Sequence, residues 1–204
     1  MEGYDYDMCN ISKMVLDGFK KRLDHNKEIL KQGIAGSVFS AKTFFGPPAK
    51  EKDIEAFENE VGIIIPKDYR NFLLIHNGAI FYEFEIFGLE DIRNHFVIFD
   101  YKNLSPSGWY PIGSDNGSML WIDQTVLKEE SLNKRNNYLH YSEKLFTDSA
   151  IPLNLNFERW LERFILASGE HFWYWGLESA ELYYMRVEDT LRMQKALGRL
   201  LGEE

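Results

Sequence analysis

Few side chains in this sequence stand at spacings that do chemistry. Glu83 and Glu85 lie two residues apart in FYEFEIFG. Paired carboxylates act as acid and base when they face each other across a cleft. Side by side on one strand they are ordinarily solvated, so this pair points to surface charge. Ser114 sits between Gly113 and Asp115, but the G-x-S-x-G elbow that exposes a serine nucleophile is missing. The apolar runs on either side make Ser114 a turn residue instead. Asp115-Asn116-Gly117 offers the start of a calcium loop without its later ligands. His25, His76, His95, His140 and His171 are scattered, and none stands in H-x-x-x-H spacing. His76 reads as a packing or capping residue. Cys9 is the one cysteine and has no nearby ligand partner. No P-loop or G-x-G-x-x-G opens a helix. The expectation is therefore no catalytic set, no metal and no cofactor, with binding as the default role.

Charge sharpens that expectation. The net charge is −9, from 32 acids against 23 bases. Residues 51–169 hold 19 acids and 11 bases, whereas residues 1–50 hold 6 acids and 8 bases. An acidic middle repels phosphate, so direct nucleic-acid binding is not expected. It favours encounter with a basic partner. Aromatic residues reach 15%, more than a minimal core needs, and rings beyond the core suit a contact surface. One cysteine permits no intrachain disulfide, which fits a reducing compartment. No apolar run approaches the ~20 residues of a membrane span, and MEGYDYDMCN has no apolar signal region. The expected location is the cytoplasm.

The elements that must position these residues follow from periodicity. Ile11 to Lys31 reads as a helix, with Ile11, Val15, Phe19, Leu23 and Leu30 on one face. Residues 32–50 read as a linker that breaks at Gly46-Pro47-Pro48. Ile54, Phe57 and Val61 mark a second helix with Gly62 as its stop. Pro66 opens a third helix through Tyr69, Phe72, Leu73 and His76, and Asn77-Gly78 ends it. FYEFEIFG alternates as a strand with Glu83 and Glu85 on the wet face. HFVIFDY reads as a further strand or buried segment, and NNYLHYSEKLF as another strand. WYPIGSDNGSMLWID is a hairpin around Asn116-Gly117. NFERWLERFILASG is a helix with Asn156 as N-cap. HFWYWG is an aromatic knot and a candidate self-association surface. A last helix runs from about Glu178 to Leu201, with Ala180, Tyr184, Val187 and Leu191 on one face.

The order in IEAFENEVGIIIPKDYRNFLLIHNG resembles the SUKH superfamily, through Pro66, Tyr69, Phe72, Leu73, Asn77 and Gly78 together. WYPIGSDNGSMLWID is similar to its second signature and FERWLERFI to its closing helix. The resemblance implies an α+β fold, with helices packed on a mainly antiparallel sheet and extra N- and C-terminal helices here. It divides the chain into a helical arm and linker (1–46), a SUKH-like domain (47–169) and a C-terminal helical extension (170–204). It also implies a non-catalytic binding role. Bacterial members are mostly immunity proteins that neutralise a cognate polymorphic toxin, often a nuclease, and the yeast relatives are intracellular regulators of cell-wall synthesis. From charge and strand position, the expected contact face comprises Glu83, Glu85, Trp109, Asp115, Trp121 and Asp123, although both tryptophans also suit a core. The expected partner is a basic protein toxin, and a homodimer is a further expectation.

Overall fold

A computed structural model describes residues 10–33, 36–99, 105–127, 137–144, 147–177 and 179–201. In chain order the elements are α1 (Ile11–Lys20), β1 (Glu28–Gln32), β2 (Val38–Phe45), α2 (Glu51–Val61), α3 (Lys67–Leu73), β3 (Ala79–Phe81), β4 (Phe84–Ile86) and α4 (Leu89–Phe99). β5 (Trp109–Asp115), β6 (Ser118–Asp123), β7 (Leu139–Ser142), β8 (Ile151–Pro152), α5 (Phe157–Leu166) and α6 (Ala180–Leu201) follow. All strand pairs are antiparallel, in the order β1-β2-β3-β4-β5-β6-β7-β8. Each strand thus pairs with its neighbour in sequence, which needs only short turns. The α+β architecture expected from the sequence is the one observed.

The sheet's inner face carries the core. Phe45 and Phe81 meet Phe19 of α1 edge to face. Phe84 packs against Trp160 and Phe164 of α5. Helix α1 packs on α5 and α3, and Leu16, Phe19, Tyr69, Phe72 and Trp160 are buried. Asn156 caps α5 as expected, its side chain accepting from Arg159 N. Asn116 and Gly117 have φ of 46° and 87°, the left-handed pair that a two-residue hairpin turn requires.

Three consecutive residues at the start of α3 tie it to three different elements. The Asp68 carboxylate accepts from the Tyr138 hydroxyl ahead of β7 and from Glu158 N in the first turn of α5. Tyr69 donates its hydroxyl to Phe87 O, at 2.5 Å, just beyond β4. Arg70 donates to Glu51 and Glu58 of α2, and Glu58 also receives Ile65 N at 2.7 Å.

Three sequence readings are corrected. Helix α1 stops at Lys20, and the expected linker is instead the β1–β2 hairpin, with β2 also paired to β3. Asp24 starts the switch: its carboxylate accepts from Asn26 N and Glu28 N, an Asx-type turn that competes with helix. Leu30 lies on a strand and is 72% exposed, so it belongs to no helical core face. The hairpin and α1 both contribute to the common core, through Ile29, Leu16 and Phe19. The second correction concerns HFVIFDY, of which residues 95–99 continue α4 and the rest falls outside the described residues. Asn77 Oδ1 accepts from Leu89 N, and Asp91 accepts from Gly88 N. These acceptors satisfy amides at the helix start. Asn77 therefore caps a later helix, while α3 itself ends at Leu73.

Burial raises the Asp68 pKa despite its hydrogen bonds. A raised carboxyl pKa stabilises most below the ordinary aspartate pKa, and that contribution is lost as pH rises through the folded-state value. Asp68→Ala removes the acceptor for the Tyr138 hydroxyl, Glu158 N and Tyr69 N and costs about 3–4 kcal/mol in urea denaturation, whereas Asp68→Asn, which sets a donor against Glu158 N, costs about 1–2 kcal/mol. The Asn penalty shrinks as pH rises from below the aspartate pKa to neutrality.

Candidate protein-binding face

The sheet has a second face, and at its β1–β4 end no helix among the described residues covers it. Strand register fixes the residues there. Phe44 pairs with Ile80, Ile80 with Glu85, and Glu85 with Ser114, so these four form one row across four strands. Leu30 and Val38 stand on the same face by alternation along β1 and β2. Their exposures are unusual for such side chains: Leu30 72%, Val38 64%, Phe44 60% and Ile80 39%. Singly exposed apolar residues need no explanation, but Phe44 and Ile80 are directly paired neighbours, separated from Leu30 and Val38 by Ser40 and Lys42. A polar rim adjoins that pair, with Lys42 and Glu28 on the hairpin and Glu85 on β4.

Glu83 joins this rim through a strained turn. Tyr82 and Glu83 link β3 to β4, and Tyr82 has φ of 61°, which is uncommon for a bulky residue. The ring is held by Phe19 and Phe164. A Cβ at Gly169 would lie 2.4 Å from Tyr82 Cδ2, so only glycine there leaves room for the ring. The packed ring turns Glu83 outward, and Glu83 is exposed.

The structure brings some of the six expected contact residues together and separates others. Glu83 and Glu85 are both exposed at the β3–β4 hairpin. Trp121 and Asp123 share the outer face with Glu85 through β6, and Trp109 is paired with Asp123. Trp121 is fully buried, its indole N–H donating to Ser142 Oγ at 2.8 Å, so it is a core residue. Trp109 is half-buried, its ring 4.1 Å from that of His140. Asp123 accepts from Thr125 N and Oγ1, starting a short 3-10 turn. Asp115 lies on the opposite face, paired with Ser118. Its Oδ2 is 3.1 Å from His171 Nε2. His171 stacks on Trp173, and both contact Tyr141. This cluster fastens the aromatic turn at residues 171–175 to the hairpin tip. Phe172, Trp173 and Tyr174 are half-buried there and Trp175 is 60% exposed, so most of that knot serves internal packing.

The sequence reading missed Phe44, Ile80, Leu30 and Val38. The alternation in VFSAKTFF is the available signal for Val38 and Phe44, but it lies in the stretch that reads as a linker, and Leu30 in one that reads as helix. No group of three or more His, Cys, Asp or Glu able to hold a metal ion occurs among the described residues, and no described helix is long and apolar enough to cross a membrane.

A helix pair ahead of an antiparallel meander, closed by a capped amphipathic helix, defines the class. Residues 48–163 match the SMI1/KNR4 family (SUKH-1), and the chain belongs to that family. It is similar to YobM, an uncharacterized protein of Bacillus subtilis (strain 168), with 30% identity over 191 residues, covering 87% of this chain and 98% of that protein. It is also similar to YnaB, uncharacterized and from the same organism, with 32% identity over 136 residues, covering 63% of this chain and 85% of that protein. The matched family region begins after β2, so Leu30, Val38 and Phe44 lie outside it.

Partial burial and the Asp91 charge raise the Glu85 pKa. Glu85 therefore keeps its proton at a pH where an ordinary glutamate has lost it, and the face becomes less negative on mild acidification. Carbon-detected NMR titration of the Glu85 carboxyl places its midpoint above the usual glutamate value, and Asp91→Asn brings it down.

Proposed function

We propose that this protein is a non-catalytic, cytoplasmic immunity protein that binds and neutralises a cognate, basic polymorphic toxin. The observation that carries this reading is the uncovered outer face of β1–β4. Phe44 and Ile80 supply an apolar centre, and Glu83, Glu85 and Glu28 supply most of the charge at its rim. Interfaces are commonly built this way, with buried rings giving affinity and charged rims giving encounter rate and choice of partner. A nuclease toxin is a fitting occupant, because a cleft that holds phosphates is basic. The SUKH-1 membership supports the reading at the level of the family, since its bacterial members are mostly of this kind.

The experiment is co-expression with the toxin encoded beside the gene, scored by cell survival, and binding kinetics with the purified pair. Protection and a stable complex are expected. Glu83→Lys with Glu85→Lys leaves the thermal melt unchanged and slows association at low salt by about tenfold or more. Phe44→Asp speeds dissociation and abolishes protection. Absence of both protection and complex overturns the proposal. An unchanged association rate in the double lysine variant takes the acidic rim out of the interface.

A further inference from the structure

Helix α6 runs for 22 residues, and among the described residues most of its large apolar side chains are exposed. Between Glu181 and Arg199 every residue is exposed except Val187, Thr190 and Gly198, which are half-buried. Tyr184 is 66% exposed and Leu191 50%. At 100° per residue, Tyr183, Tyr184, Val187, Leu191 and Leu197 fall within one arc. Helices draw most of their stability from packing such an arc against something else.

The charges beside that arc identify what fits it. One flank carries Glu181 and Glu188 in the N-terminal half and Lys195 and Arg199 in the C-terminal half. When two copies of a helix pair antiparallel, like flanks meet with their directions reversed. Setting Leu191 against Leu191 of the second copy leaves Glu188 one residue out of level with Lys195 and Glu181 two residues out of level with Arg199, offsets of about 1.5 and 3 Å that long side chains span, each twice by symmetry. Val187 then packs within one residue of the level of Gln194 across the seam. A parallel pair sets this flank against the other one, where Tyr183, Thr190 and Leu197 offer no opposite charge. Flanking charges of this sort set partner and orientation in paired helices. Glu188 meanwhile is 3.3 Å from Arg192 within its own helix, a weak, exposed pair that leaves its carboxylate available to a second cation.

We propose that α6 is a homodimerisation helix, which pairs antiparallel with α6 of a second copy about a centre near Leu191. This surface is separate from the outer sheet face, so the dimer stands or falls independently of the toxin reading.

The test is sedimentation velocity of the full chain across a concentration series. A dimer is expected, and Val187→Asp with Leu191→Asp converts it to monomer without moving the thermal melt. Glu188→Lys alone weakens the dimer about tenfold, since two symmetric pairs become repulsive, and adding Lys195→Glu restores it. Orientation is read by oxidative cross-linking in a Cys9→Ser background: Leu191→Cys links and Tyr184→Cys does not. A monomer at every concentration, a dimer indifferent to Val187→Asp with Leu191→Asp, or equal cross-linking at both cysteines overturns the proposal.

Discussion

The fold turns on a half-buried carboxylate at the start of a seven-residue helix. Asp68 spends desolvation energy that an apolar residue would not, and its raised pKa records that cost. It persists because it satisfies backbone and hydroxyl donors that would otherwise be buried without partners. The Tyr138 hydroxyl it binds receives Phe157 N at 3.0 Å, so one oxygen relays the carboxylate to the helix start beyond. The N-terminus of α5 carries partial positive charge, which further suits an acceptor there. With Tyr69 reaching Phe87 and Arg70 reaching α2, three adjacent side chains set α2, α5 and the end of β4 relative to α3. Helix α3 is too short to hold a position by its own propensity, and these contacts do that for it.

That arrangement decides which sheet face is left bare. Helices α1, α3 and α5 pack together against the face bearing Phe45, Phe81 and Phe84. The chain beyond α3 must then cross close to the residues before α2, and glycine permits it. Gly46 N donates to Gly78 O at 2.8 Å, and Asn77 N to Pro47 O at 2.9 Å. A Cβ at Gly46 would stand 2.3 Å from Asn77 O, and one at Gly88 2.7 Å from the same atom. The crossing aligns β2 with β3 and so brings Phe44 beside Ile80. The bare face is thus a consequence of how the scaffold closes.

The parts legible in the sequence were those whose signals are local. The α2–turn–α3 unit, the Asn116-Gly117 hairpin and α5 each carry a stop, a cap or a required backbone conformation inside a few residues. The misread parts depend on partners distant in sequence. HFVIFDY is rich in β-formers, but Asn77, twelve residues upstream of Leu89, caps α4 and tips the segment to helix. KEILK looked like continuing helix until Asp24 closed a turn on Asn26 and Glu28. At the candidate face, alternation placed Glu85 correctly, but Glu83 is exposed in the turn that splits the expected strand into β3 and β4, and charge could not tell which sheet face Asp115 occupied. A bulge between Pro111 and Gly113 shifts the register of β5, and a shifted register changes which side of the sheet a residue faces. Trp121 reads more readily as core than as anchor, and its complete burial and its bond to Ser142 make it core.

The sheet's ends bear on the binding role proposed for its face. Exposed edges invite strand addition by another chain. Here β8 is two residues long and ends in Pro152, which has no amide to donate. At the other end, β1 carries Glu28 and Lys31, and Lys31 is held 3.0 Å from Glu170. Such short, charged or proline-bearing edges resist growth of the sheet. A partner that cannot extend the sheet must lie across it, where side chains rather than backbone amides meet it. Under the proposed binding role, specificity would reside in the identities of Phe44, Ile80, Glu83 and Glu85, which stand apart from the Asp68-centred scaffold.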